Sequence, residues 1–395
     1  NLTGNDDEMT DEFEIDLDAQ VSAGVLLGFV EPLPADDSAT GSEDLVFSNR
    51  VGGVPAWLDP SNPLTAEDVC CETCGVSMSL LLQMYAPEDE PEDAYHRVIY
   101  VFACRNGECH RKYWRGCFKV FRAQLAEQND IYEYQPQNQH QQDENGTALA
   151  MTCVVCNLAA PHQCSNCKSA RYCSQAHQAM HWKAGDHSVF CKAILSGKMQ
   201  PIQQSSTTAP SSSSSSSSKL VSKSGIIEVD DDGNEVDDNE ETDTGVDPAF
   251  IRFHKRVLRA PSQVLRYTRT ADDPVDATTP LWVSEKGKPS QDDIPACELC
   301  GGERELEMQI MPQLLDKIGI DHKGIDSIDW GTLLIYTCAN SCSLNGLDLK
   351  KRYAEEVLFR QQFSSESIVD RIRETIEGNR NKLKPEDYES DDDAN

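Results

Sequence analysis

No run of eighteen apolar residues occurs in this 395-residue chain, so no membrane-spanning helix is expected. The first residues are acidic, where a secretory signal would be basic and then apolar, and export is not expected either. No Ser/His/Asp set and no paired loop carboxylates stand out, which argues against an enzyme. Basic residues are missing from three whole segments. Residues 6–18, 228–247 and 386–393 carry eight, eleven and six acids and no Lys or Arg. They hold 25 of the 67 acidic residues, so the net charge of −32 lies largely on them, and the remainder, 42 acids against 35 bases, is ordinary. Acidic runs repel nucleic-acid phosphates and attract basic proteins, although a run can also serve solubility alone.

Aromatic residues are nearly absent from residues 196–246, which include the unbroken run Ser211 to Ser218 and then the acidic block. This composition predicts a disordered linker. Residues 136–149, rich in Gln, Asn and Asp, form a shorter break. The length allows two or three domains. The boundaries are an acidic arm (1–19), an N-terminal β module (20–135), a finger (150–195), the linker (196–246), a C-terminal β module (247–378) and an acidic tail (379–395).

What the chain does have is cysteine. Sixteen cysteines without an export signal favour zinc over disulfides, because the cytosol keeps thiols reduced. Cys153, Cys156, Cys164, Cys167, Cys173, His177, His187 and Cys191 give two C-x-x-C pairs, then C-x3-H, then H-x3-C. Each spacing suits a tetrahedral ion bound by thiolate and imidazole, and eight ligands imply two zinc ions. The order suggests interleaving: Cys153, Cys156, Cys173 and His177 on one ion, and Cys164, Cys167, His187 and Cys191 on the other. The plain alternative is a set of buried or disulfide-bonded cysteines. The alternation resembles the MYND finger, down to Arg171-Tyr172-Cys173-Ser174 and Trp182 before the last ligand pair. His177 stands where that finger more usually has cysteine.

The two flanks look like copies of one unit. Pro55-x-Trp57, Cys71-x-x-Cys74-Gly75, Gln83, Pro87 and Cys104 in the first answer to Pro280-x-Trp282, Cys297-x-x-Cys300-Gly301, Gln309, Pro312 and Cys338 in the second. A nearly constant offset over several landmarks marks duplication. Each copy has two strand-like runs, Ser79 to Ala86 with Arg97 to Cys104, and Glu305 to Met311 with Thr332 to Thr337. Arg304-x-Leu306-x-Met308-x-Ile310 alternates as a half-buried strand should. Further strands are expected at Val25 to Val30 and Val264 to Tyr267, a short helix around Phe250, Phe253 and Val257, and a longer helix over 350–377.

Cys71, Cys74, Cys104 and Cys109 form a third candidate zinc site, and Cys297, Cys300, Cys338 and Cys342 a fourth. Ordinary core cysteines are the alternative at both. Cys70 could compete for the third ion, and Cys117 reads as a buried thiol. The expected fold is mainly β with some α: duplicated zinc-stapled β modules packed as one domain, with the small finger inserted. Four protein ligands leave no open position for water, so the sites read as structural rather than catalytic.

Together these features resemble the programmed-cell-death protein 2 family of eukaryotes. The resemblance rests on Leu27-Gly28-Phe29-Val30-Glu31, Gly52-Gly53-x-Pro55-x-Trp57-Leu58, Leu82-Gln83-x-Tyr85-Ala86-Pro87, Phe121-Arg122-x-Gln124-Leu125, the finger, Gln263-Val264-Leu265-Arg266-Tyr267, Gln309-Ile310-Met311-Pro312 and Asp329-Trp330-Gly331-Thr332. It implies a dedicated chaperone that captures a basic small-subunit ribosomal protein, one with an Arg/Gly-rich tail, during its synthesis. It further implies a role in small-subunit biogenesis, in cytoplasm and nucleus. The finger's wider class implies docking of proline-containing peptides, with Tyr172 and Trp182 as the exposed aromatic candidates, although packing beside the zinc is the plainer reading for Trp182. A nuclear adaptor recruiting corepressors is the competing reading, and a general zinc-stabilised scaffold is another. A methyltransferase would need a cofactor pocket, and no Gly-rich turn or Asn-His motif suits one. The finger is mildly basic (Lys168, Arg171, Lys183 and Lys192 against Asp186) but lacks a base-reading helix, so direct nucleic-acid binding is not expected.

Overall fold

Runs rich in Val, Ile, Leu and aromatic residues on both sides of the finger become strands of one sheet. The computed structural model describes residues 25–32, 45–132, 150–200, 224–230, 247–269, 279–320, 327–345 and 352–363. Before the finger come β1 (Leu26–Pro32), β2 (Arg50–Val51), β3 (Ser79–Tyr85), β4 (His96–Ala103), α1 (Gly107–Tyr113) and β5 (Phe118–Leu125). The finger holds β6 (His162–Gln163), β7 (Arg171–Tyr172), α2 (Gln175–Ala184) and α3 (His187–Leu195). After it come β8 (Ser224–Asp230), α4 (Pro248–Arg259), β9 (Gln263–Tyr267), β10 (Arg304–Ile310), β11 (Thr332–Cys338) and β12 (Ala354–Gln361).

The strands pair antiparallel in the order β1-β8-β2-β3-β4-β5-β12-β11-β10-β9, and β1 pairs back onto β9 to close a barrel. Two seams join the flanks directly. At one, Val120 of β5 lies opposite Glu356 of β12. At the other, Leu27 of β1 lies opposite Arg266 of β9. Local details repeat between the flanks. β3 shifts register between Leu80 and Leu82, and β10 between Leu306 and Met308. The Gln83 side-chain oxygen accepts from the Ala56 amide at 2.9 Å, and that of Gln309 accepts from the Leu281 amide at 3.0 Å. Each glutamine thus fixes the segment that carries Trp57 or Trp282.

Three expectations need correction. The strand β10 does not alternate between core and water: Glu307 and Gln309 are as buried as their apolar neighbours. Glu307 finds Arg97 across the barrel, and Gln309 bonds the Leu281 segment and Thr332 of the neighbouring strand, which removes the cost of burying them. Residues 354–361 form β12 rather than part of a helix. Pairing with β5 and β11 supplies their backbone hydrogen bonds, and such tertiary pairing overrides a weak local helix preference. The rest of that expected helix, apart from the turn at 352–353 and residues 362–363, lies outside the described residues. Within the expected linker, residues 224–230 form β8, which bridges β1 and β2. Ile226, Ile227 and Val229 are strand-favouring residue types. The Ser211 to Ser218 run, the acidic arm and the acidic tail lie outside the described residues.

Buried aliphatic side chains fill the barrel, among them Leu82, Ile99, Val101, Leu333 and Ile335, while Tyr100 and Phe102, on the other face of β4, pack outside it against Trp57. Each side chain of this kind contributes roughly 1.5–3 kcal/mol by leaving water. The core continues from Trp57, Leu58 and Leu64 into Leu158, Ala160 and Tyr172 of the finger. The finger is therefore seated on the barrel rather than tethered to it. The Trp57 indole N–H donates to the Asn157 carbonyl at 2.6 Å, the Asn157 side chain donates to the Pro55 carbonyl at 2.8 Å, and the Ala159 amide donates to the Leu64 carbonyl at 2.9 Å. Among the described residues no helix is long and apolar enough to cross a membrane.

Candidate metal centres

All four C-x-x-C pairs fold into the same tight loop. The residue after the second cysteine is left-handed in each: Gly75 (φ 68°), Asn157 (φ 58°), Lys168 (φ 53°) and Gly301 (φ 71°). Its amide donates to the carbonyl of the first cysteine, at 2.8 Å in Gly75 to Cys71, 2.9 Å in Asn157 to Cys153, 3.1 Å in Lys168 to Cys164 and 2.8 Å in Gly301 to Cys297. This closure turns both sulfurs to one side. The residue type following the pair (Gly, Asn, Lys, Gly) was the available sequence signal for it. Gly301→Ala adds a Cβ that meets no atom within 4 Å. Its cost is then backbone strain alone, about 1–2 kcal/mol. Urea denaturation of the zinc-loaded chain should show that loss.

The structure brings together the four predicted sets. Cys71, Cys74, Cys104 and Cys109 have ligand atoms all within 4.8 Å of one another, as do Cys153, Cys156, Cys173 and His177, then Cys164, Cys167, His187 and Cys191, and finally Cys297, Cys300, Cys338 and Cys342. No described cysteine is in a disulfide. A tetrahedral zinc site with Zn–S near 2.3 Å has S···S edges of about 3.8 Å. The separations here match: 3.9 Å for Cys74–Cys104, 3.5 Å for Cys156–Cys173, 3.7 Å for Cys297–Cys342 and 3.5 Å for Cys300–Cys338. Sulfur to imidazole distances are 3.7 Å for Cys153 to His177 Nδ1 and 3.6 Å for Cys167 to His187 Nε2.

Charge tells the same story. In the third set, burial works against ionising Cys71, yet the Cys74 and Thr73 amides bring its thiol down to about 7. Its neighbours move the other way: burial, then the nearby sulfurs, push Cys109 up to about 11 and Cys104 higher still. In the finger, hydrogen bonds with Cys156 and Cys173 drive Cys153 down, while the bond with Cys153 drives Cys156 up. Burial and Cys167 push Cys191 up to about 11. Three or four crowded thiols cannot all ionise beside each other, and a divalent cation removes that conflict. His177 is pushed up to about 9 by Cys153 and Cys173, a cation's place that zinc would take.

Of the two leftover thiols, Cys117 is buried as expected and Cys70 does not join the third set. Cys70 is half-buried and belongs to no ligand set. Cys117 is buried, with its sulfur 3.9 Å from that of Cys71 and 3.3 Å from the Tyr113 carbonyl it bonds. Burial pushes its thiol up to about 12, which keeps it neutral beside the set. Tyr172 is not an exposed aromatic: it is fully buried, its hydroxyl 3.0 Å from His181 Nδ1 and its ring against His187. Trp182 both touches His187 edge-on and remains 38% exposed. Sequence reading missed His110, which is buried beside the third set with Nε2 2.7 Å from the Cys104 carbonyl.

Comparison with known proteins agrees with this layout. Residues 24–139 match the description "Programmed cell death protein 2, N-terminal domain", residues 153–191 match "MYND finger" and residues 247–362 match "Programmed cell death protein 2, C-terminal putative domain". The finger and the four sets are consistent with two to four zinc ions. "Programmed cell death protein 2" of Bos taurus is 34% identical over 367 residues, 88% of this chain and 99% of that protein. The protein of the same name from Mus musculus is 32% identical, over 85% of this chain and 96% of its own length. "Probable 20S rRNA accumulation protein 4" of Schizosaccharomyces pombe is 30% identical over 105 residues, 24% of this chain and 23% of that protein. No solved structure gives a significant match. With both domain descriptions matched in order around the finger, and relatives aligned over nearly their whole length, the chain belongs to the programmed cell death protein 2 family.

Proposed function

We propose that this chain is a dedicated chaperone of a basic small-subunit ribosomal protein, the one with an Arg/Gly-rich tail in eukaryotes. It would take up its client during synthesis, in the cytoplasm, and support small-subunit biogenesis there and in the nucleus. The observation that carries this reading is the charge pattern, with 25 of 67 acids in three base-free segments and a nearly balanced remainder. Such segments attract a basic client from a distance and screen it from RNA, an effect that weakens with salt. Family membership supports the reading, as does the fission-yeast relative's name, which refers to 20S rRNA accumulation.

The four ligand sets would each hold one structural zinc, and the two flanks would be copies of one ancestral unit. The finger would dock short proline-containing peptides. An adaptor role is the second reading, favoured by Met180, Val189, Phe190 and Leu195, large apolar side chains exposed on the finger's helices. Mild affinity purification from cells at two salt concentrations tests both. One basic ribosomal protein in near-equal amount, reduced at high salt, is the expected result. Corepressors or histones in its place would favour the adaptor, and no stoichiometric partner would defeat the chaperone reading.

A further inference from the structure

A cation-rich cavity of about 450 Å³ opens between α1, the segment before β11 and the end of β12. Its wall includes His110, Arg111, Lys112, Trp114, Asp329 and Arg360. Three are cationic and one is a carboxylate, against the sign of a chain whose net charge is −32. Trp114 meets two guanidinium groups over its ring, that of Arg115 4.6 Å from its centre and that of Arg360 5.3 Å away. Its ring therefore holds the half-buried Arg360 in place at the cavity.

Two polar atoms of the wall are buried without a partner: Nε of Arg360 and Nδ1 of His110. The imidazole is only 2% exposed, and its Nε2 faces the Cys104 carbonyl at 2.7 Å. A carbonyl only accepts, so Nε2 carries the proton and Nδ1 is a bare acceptor. The wall thus lacks one acceptor, at Arg360, and one donor, at His110. Buried polar groups are nearly always satisfied, and two orphans in one cavity wall point to a ligand. That ligand brings an oxyanion and an N–H together.

We propose that this cavity binds an acidic segment of a partner protein, with a side-chain oxyanion against Arg360 and against Lys112, which would exchange its exposed Glu108 partner at 2.7 Å for it, and a peptide N–H toward His110. The oxyanion is a carboxylate or a phosphoryl group. A polynucleotide fits poorly, because the acidic chain repels a long polyphosphate while a peptide brings few charges. This site takes a partner opposite in charge to the proposed ribosomal client, and it stands apart from that reading.

Binding can be read from the Trp114 indole N–H resonance of the full zinc-loaded chain, identified by its loss in Trp114→Phe. The probes are a Gly-Glu-Glu-Gly peptide, the same peptide with phosphoserine at both central positions, and inorganic phosphate. A saturable shift with either peptide is expected, weaker by about tenfold in Arg360→Gln, which removes a charge-assisted bond. Lys112→Glu, at a side chain 62% exposed and unable to unfold the core, should weaken it as well. Response to the glutamate peptide alone identifies a carboxylate, and response to the phosphoserine peptide alone a phosphoryl group. No saturable response to either peptide, equal affinity in both variants, or binding of single-stranded RNA in place of peptide would overturn the proposal.

Discussion

Stripping zinc with a strong chelator is expected to abolish the cooperative thermal transition of the whole chain, in the barrel as well as in the finger. A structural zinc site contributes about 10–16 kcal/mol to the folding of a small module. Whole domains are stable by only about 5–15 kcal/mol, so the loss of a single site is comparable to the entire margin. Two of the four sets close the ends of β-hairpins in the barrel itself, since Cys104 follows β4 and Cys338 ends β11. The other two hold the finger, whose Asn157 follows a ligand and receives the Trp57 indole bond at 2.6 Å. Near-UV circular dichroism, with metal analysis alongside, checks the outcome. Cys156→Ser in the finger should disturb the Trp57 signal, and Cys300→Ser should disturb the barrel. An unaltered barrel signal after complete zinc removal would show that the apolar core suffices without metal.

The ligand sets were legible because spacing carries them. A C-x-x-C pair is a local object, and the loop that turns both sulfurs together is complete within about six residues. The strand Val98 to Phe102 was legible for a similar reason, since its residue types are strand-favouring throughout, whereas the Leu80 to Met84 run is merely apolar and takes its strand form from pairing with it. What failed depended on partners far away in sequence. Leu358 and Phe359 suit a helix or a strand, and only the edge offered by β5 and β11 decides for β12. Glu307 and Gln309 have the residue types of a wet face, and their burial follows from partners on β4, β9 and β11 and in the Leu281 segment. Tyr172 was read as exposed because the finger's wider class implies an aromatic peptide-docking surface. The histidines of its own two helices cover it.

Glu307→Gln is expected to destabilise the chain by about 3–5 kcal/mol, because it takes the bidentate carboxylate away from the buried, charged Arg97 and leaves only Glu88, 3.7 Å away, as a counter-ion. Arg97 donates to both Glu307 oxygens, at 2.7 and 2.6 Å, and neither side chain is exposed. Thr337 and Tyr267 add their hydroxyls to the same carboxylate at 2.5 and 2.9 Å. This cluster ties β4 of one flank to β9, β10 and β11 of the other, inside the barrel both flanks share. Replacing both charges, in Arg97→Met with Glu307→Leu, should recover part of the loss, since a well-packed apolar pair often matches a buried ion pair. Recovery stays incomplete because Thr337 and Arg269 also bond Glu307. Acid gives an independent check. Burial alone would raise the Glu307 carboxyl, but Arg97, then Arg269 and Thr337, hold it down at about 2. An unfolded glutamate titrates near about 4.3, so between these values the unfolded chain binds more protons. The stabilisation is complete above the unfolded value and fades as pH falls through about 2. Acid also releases zinc in the native chain and in the variant alike. The difference between the two urea curves should therefore narrow as pH falls from 5 toward 2, and a constant difference would mean that Glu307 acts by packing rather than charge.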